Sequence, residues 1–171
     1  MFLEKKYVWA LIFLLLSVSA CGYRFAESGE LPSNITSVHV AMFKNNSGET
    51  GLESVITSDL VYEFTRKKKD AIKKSDQAEG ILAGIIKSVR TDTVARRGQS
   101  TSLTRRVEIS VDIKLTDRSG TVVWSKNNMT ESEAYDVASD KQTTEQRKKD
   151  AINKVSKRMA EDIYNRLTED F

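Results

Sequence analysis

The sequence predicts an α/β protein. It reads as a two-layer sandwich in which two helices pack on one face of a four-stranded sheet, in the order β-α-β-β-β-α. Three observations predict it. Two segments, about 52–68 and 143–168, place apolar residues three and four positions apart, which is the spacing of one helix face. The segment Thr104–Asp117 alternates strictly between apolar and polar residues, the period of a strand with one face on a core. After Pro32, the only proline, turn residues separate the periodic segments and no linker or repeat marks a second domain.

The first residues stand apart from that domain. Lys5 and Lys6 precede an almost wholly apolar run from Tyr7 to Leu16, followed by Ser17-Val18-Ser19-Ala20 and then Cys21, the only cysteine. Counted from Tyr7 through Ala20 the run is about 14 residues long, whereas a helix crossing a bilayer takes roughly 20. Arg24, Glu27 and Glu30 follow closely, so the rival reading as a membrane helix finds nothing to extend the run. The pattern resembles a bacterial lipoprotein signal with its lipobox, apart from Glu4 in the basic region and Val18 where leucine is more usual. That resemblance implies cleavage before Cys21 and acylation of Cys21 itself. Each buried methylene of an acyl chain contributes about 0.8 kcal/mol, and stable attachment takes two chains or signals. Gly22 occupies the place where an aspartate would retain such a lipoprotein in the inner membrane, which favours the outer membrane. The expected organisation is a signal peptide over 1–20, a lipidated tether over 21–34 and a single domain over 35–171.

Within the domain, Ile35 to Phe43 reads as the first strand. Val38, Val40 and Met42 share one face and His39, Ala41 and Phe43 the other, so a central or covered position is expected. Lys44 to Gly48 reads as a turn. Thr50 and Glu53 are spaced as a capping box opening a helix to about Lys68, with Leu52, Val55, Ile56, Leu60 and Phe64 as its apolar stripe. Arg66 to Lys69 then fall where positive charge suits the helix dipole. Gly80 to Thr93 forms a second strand, in which Ile81, Ala83, Ile85 and Val89 alternate with Leu82, Gly84, Ile86 and Ser88. In the third strand, Thr104 to Asp117, Val107, Ile109, Val111, Ile113 and Leu115 face the core. Arg118-Ser119-Gly120 is a tight turn. A fourth strand runs from Thr121 to about Glu131, with Val122 and Trp124 on one face. The last helix spans about Thr143 to Thr168, with Thr143 and Gln146 as a capping pair and Ile152, Val155, Met159, Ile163 and Leu167 as its stripe. The second and third strands, joined by a loop near Arg96 to Thr101, are long enough to project as a hairpin beyond the helices.

Composition excludes more than it selects. Without residues 1–20 the chain keeps 151 residues, about one domain, able to bury roughly 68–70 % of its extended surface. Its net charge is +3, or +2 without Glu4, Lys5 and Lys6, too balanced to imply nucleic-acid binding. An acylated Cys21 leaves no thiol for a disulfide or for catalysis. The single histidine, His39, lies in a predicted strand without an acid or nucleophile beside it and reads as structural. No glycine-rich phosphate loop, zinc-ligand set or acyl-transfer motif is present, so no cofactor, metal or enzymatic activity is expected. Glu131 and Glu133 read as solvated surface.

One charge pattern remains. Arg90, Arg96, Arg97, Arg105 and Arg106 all fall in or beside the hairpin tip, with Asp92 as the nearby acid. The guanidinium fork binds phosphate in a bidentate way. Basic residues also keep a strand edge from pairing with neighbours, so the pattern is open to both readings. A second cluster, Arg66 to Lys69 with Lys73 and Lys74, reads as a helix terminus and its loop, with anionic lipid headgroups as the alternative.

Several stretches taken together resemble the LptE family of lipopolysaccharide-assembly lipoproteins. They are Cys21-Gly22-Tyr23-Arg24-Phe25, Leu31-Pro32, Ile35 with Val38-His39-Val40-Ala41-Met42-Phe43, Asn45-Asn46, Gly51-Leu52-Glu53, and Val111-Asp112-Ile113-Lys114-Leu115-Thr116-Asp117 with Gly120. The resemblance covers 21–168, and the order of elements agrees. It implies a two-layer α/β domain anchored in the inner leaflet of the outer membrane, on the periplasmic side. It also implies a role as plug and assembly partner of the LptD β-barrel, and binding of lipopolysaccharide. The family's ligand contacts are not set in a motif that maps here, so the five arginines remain a charge-based expectation for lipid A phosphates. Polar outer faces suit a polar barrel lumen and suit an ordinary water-facing domain equally well. The competing expectation is another outer-membrane lipoprotein serving as a structural or interaction module of a secretion or envelope-maintenance complex.

Overall fold

The computed structural model describes residues 30–97 and 102–169. Cys21 and the expected signal peptide lie outside the described residues. The elements are β1 (Val38–Val40), β2 (Lys44–Asn45), α1 (Leu52–Lys67), β3 (Gly80–Arg97), β4 (Ser102–Asp117), β5 (Val122–Asp136) and α2 (Lys141–Glu169). The β-α-β-β-β-α order is as the sequence predicts, but the mixed sheet has five strands because the first is broken in two. Its order is β1-β3-β4-β5, with β2 also pairing β3. β1 and β2 run parallel to β3, and β3, β4 and β5 form an antiparallel meander.

The break has a packing cause. Ala41 N still donates to Leu82 O at 2.9 Å, but Phe43 then turns its ring over Gly84 and becomes buried. A Cβ on Gly84 would collide with that ring, so the close approach requires glycine. Thr57 fixes the same spot: its Oγ1 donates to Glu53 O at 2.6 Å and accepts from Phe43 N at 3.1 Å. β1 is an edge of the sheet, not a central strand. Its outer side is nevertheless covered, because Val38 N donates to Ala71 O at 2.7 Å and Lys73 N to Val38 O at 3.0 Å.

Neither expected capping pair forms. The α1 N-cap is Gly51 at φ 88°, a left-handed conformation that suits glycine, and no side chain caps it. Glu53 instead accepts a 2.7 Å hydrogen bond from Asn45 Nδ2. At α2 the cap is Asp140, whose Oδ1 accepts from Thr143 N at 2.7 Å, while Gln146 turns to Asp150 at 3.0 Å.

Both helices cover one face of the sheet. Leu52, Ile56, Leu60 and Phe64 from α1 and Ile152, Val155, Met159, Ile163 and Leu167 from α2 share one core with the inward row of β4. Each such side chain contributes roughly 1.5–3 kcal/mol on burial. Phe64 meets Tyr164 edge-on, with centroids 5.0 Å apart and an interplanar angle of 77°. Among the described residues the opposite sheet face carries no helix, and Ile85 and Val122 are exposed there. Val122 and Trp124 therefore do not share a face. The register shifts between Leu115 and Thr116, which puts Trp124 in the core opposite Leu115 and leaves Val122 outside.

Because β1 and β2 reach only as far as Ile86, β3 beyond Ser88 has β4 alone for a neighbour among the described residues. This makes the projecting hairpin. Its two ends are far apart: the 17 steps from Gly80 to Arg97 span about 56 Å at roughly 3.3 Å per residue.

Candidate functional site

The sheet has two ends of different construction, here termed base and tip. The base gathers the start of β1, the end of α1, the segment 68–79, the 117–121 turn and the end of α2. Leu31 and Pro32, within the stretch the sequence reads as tether, are buried there. Glu79 ties the entering chain down, accepting from Thr36 N at 2.7 Å and Thr36 Oγ1 at 2.9 Å. These bonds, the backbone one foremost, hold its carboxyl below the usual range. Arg118 closes the other side by donating to Ala78 O at 3.0 Å and Gln77 O at 3.2 Å.

The tip gathers the five arginines unevenly. Arg90 stands opposite Glu108, and Asp92 opposite Arg106, so these four alternate in sign on the sheet face away from the helices. Arg105 points to the other face, in register with Thr93 and with the buried Tyr135, and is half-buried. In backbone register, Arg96 pairs Leu103 and Arg97 pairs Ser102, at the end of the hairpin. Arg90 lies seven residues further back, about 23 Å at roughly 3.3 Å per residue. The structure thus brings Arg90 and Arg106 together with two carboxylates. It sets Arg96 and Arg97 at the far end of the paired strands and places Arg105 apart from both. The loop 98–101 lies outside the described residues.

Three further features were not legible as sites. The bare sheet face carries a groove of about 370 Å³ lined by Ala83, Ile85, Asp112, Lys114, Val122 and Asn127, among others. Its sequence signal was the apolar character of both faces of Gly80–Ser88. Asp112 borders that groove and accepts from Asn128 N at 2.8 Å, with Lys87 Nζ 3.3 Å away. That amide first, then Lys87, keeps the Asp112 carboxyl low. A second groove of about 520 Å³ runs over the two helices, lined by Asp59, Tyr62, Glu63, Arg66, Lys157 and Glu161. In it Glu63 is buried but held by Arg66 at 2.7 Å, with Lys67 3.9 Å away. Tyr164 Oη is buried without a hydrogen-bond partner among the described residues, and burial followed by the charge of Glu63 raises its pKa. Third, Arg158 and Lys154 clamp α2 to β5 through Glu133, at 2.9 and 3.3 Å.

These are open grooves and structural clamps. Among the described residues no three His, Cys, Asp or Glu side chains converge on a metal position. His39 is half-buried with Nδ1 3.4 Å from Lys73 O. No described helix is long and apolar enough to cross a membrane.

The family model described as "LptE: Lipopolysaccharide-assembly" matches residues 35–167. The chain belongs to the LptE family. No curated protein matches it. Among solved structures, a presumed lipoprotein of Caulobacter crescentus superimposes with a TM-score of 0.53 at 17 % identity, covering 75 % of this chain and 89 % of that one. An uncharacterised lipoprotein B of Nitrosomonas europaea gives 0.53 at 14 % identity, covering 86 % and 90 %. A presumed homologue of the neuraminyllactose-binding hemagglutinin from Helicobacter pylori gives 0.55 at 11 %, covering 86 % and 90 %. At these identities the likeness is one of fold alone, and a fold does not choose a ligand. The LptE match, by contrast, spans both helices and the whole β3–β5 meander.

Proposed function

We propose that the chain is a lipoprotein attached through Cys21 to the periplasmic side of the outer membrane, acting in lipopolysaccharide transport as plug and assembly partner of an LptD-like β-barrel. It binds lipopolysaccharide in that role and catalyses nothing. The single observation that carries this reading is the LptE family match over 35–167. The lipobox-like approach to Cys21 supports the anchor.

Within this reading the arginines of the hairpin receive the lipid A phosphates. Arg90 and Arg106 face Glu108 and Asp92, so a phosphate there competes with carboxylates already in place. Arg96 and Arg97, in register with Leu103 and Ser102 instead of with carboxylates, are the stronger pair. Affinity purification of the tagged full-length protein from detergent-solubilised outer membranes of its host tests the partnership. A stoichiometric, heat-modifiable large β-barrel in the eluate supports it. A clean monomer that still carries its lipid overturns the barrel assignment and leaves a free-standing envelope lipoprotein.

A further inference from the structure

We infer that the base of the domain is a membrane-apposed surface, on which Lys68, Lys69, Lys73 and Lys74 meet the headgroups of anionic phospholipids. The inference rests on the lipid-anchor reading of Cys21 and adds to it a second, electrostatic attachment.

The basic residues sit where the chain enters the fold. Segment 66–79 holds six basic residues against three acidic ones, a local charge of +3 that equals that of the whole chain. Two of the six are engaged internally: Arg66 forks onto Glu63, and Lys67 lies over the Tyr164 ring, 5.7 Å from its centroid. The other four form no ion pair among the described residues. Lys69, Lys73 and Lys74 are exposed and Lys68 half so. Their backbone is not a loose loop, because Ala71 and Lys73 are bonded to Val38 on the edge of the sheet.

Geometry aims this surface at a membrane. The buried Leu31 and Pro32 fix the point of entry at the same end. From Cys21 to Glu30 the chain has nine residue steps, so covalent length alone keeps the entry point within about 32 Å of the acylated cysteine. The far end of β3 lies about 56 Å further along the sheet. Of the two basic ends, only the base is held close to the anchor. Clusters of lysine next to a membrane anchor are attracted to anionic headgroups, and the attraction falls off within a Debye length.

The test reads the lysines directly. The lipidated protein is purified from membranes and incorporated into vesicles of phosphatidylcholine, with or without a third of phosphatidylglycerol. Acylation by a neutral amine reagent is then followed at each lysine by mass spectrometry. The expected result is a several-fold slowing at Lys69, Lys73 and Lys74 on the anionic vesicles only, lost in high salt, with Lys141 and Lys149 at the start of α2 unchanged. Equal rates on both vesicles, or equal slowing at Lys141 and Lys149, overturn the inference. Flotation with pure phosphatidylcholine vesicles separates the two readings. A protein that floats but shows no lysine slowing keeps its anchor and loses this surface. A protein that does not float loses the anchor and with it the inference.

Discussion

The base and the tip of this sheet are both rich in positive charge, yet they are built in opposite ways. At the base, the entering chain, the 68–79 segment and the 117–121 turn are tied together: Thr36 to Glu79, Val38 to Ala71 and Lys73, and Arg118 to the 77–78 carbonyls. Phe64, Leu167 and Leu31 fill the space behind them. At the tip, β3 pairs on one side only among the described residues, and residues 90–94 are exposed. Its charges balance in sign along Arg90, Asp92, Arg106 and Glu108, whereas segment 66–79 at the base keeps an excess of three positive charges. Total charge therefore says little about either end. Sign pattern and support decide what each can hold.

The largest expected effect breaks the base. Phe64→Ala removes a fully buried ring that also meets Tyr164, and should cost about 3–5 kcal/mol in denaturant unfolding. Gly84→Ala should cost about 1–3 kcal/mol, because the added methyl forces the Phe43 ring out of its place over β3. A cost near zero there would mean that the β1–β2 break is not held by that contact.

At the tip, the Arg96→Gln/Arg97→Gln pair is expected to weaken lipopolysaccharide binding more than Arg90→Gln/Arg106→Gln does, with folding unchanged in both. Binding isotherms on the purified proteins would show the order, and the reverse order would place the phosphate on the sheet face instead. A smaller effect belongs to Glu79→Gln. The carboxyl of Glu79 lies below its ordinary value of 4.5 in the fold, so its contribution is fully present above that pH and is lost as pH falls through the lowered value. The protection of the Thr36 amide, its intrinsic exchange rate relative to the observed rate at the same pH, should therefore fall in acid in the parent protein, and should lose that step in the variant. Val94→Ala, on the exposed tip strand, should change stability by no more than about 0.5 kcal/mol.

The regular parts of this molecule were legible in the sequence because one physical rule governed each. The stripe from Ile152 to Leu167 and the row from Val107 to Leu115 follow helix and strand periods without interruption, and each is buried as its period demands. The misreadings fall where a tertiary contact overrode a local pattern. Phe43 left its strand to pack on Gly84, and Gly51 took the N-cap that Thr50 was expected to hold. A register shift separated Val122 from Trp124. The arginines were legible as a group but not as an arrangement. Nothing local to Arg90 or Arg106 announces that strand pairing sets Glu108 and Asp92 across from them. For the same reason the lysines of 68–74 read as a helix end until the fold placed them beside the point where the chain enters.

The central claim is that the two basic ends have different partners. It is tested most directly by photocross-linking in the host membrane, with a photoreactive residue in place of Thr93 at the tip or of Lys69 at the base. The account predicts lipopolysaccharide adducts from position 93 and phospholipid adducts, without lipopolysaccharide, from position 69. Lipopolysaccharide adducts from position 69 alone, or equally from both, would contradict it.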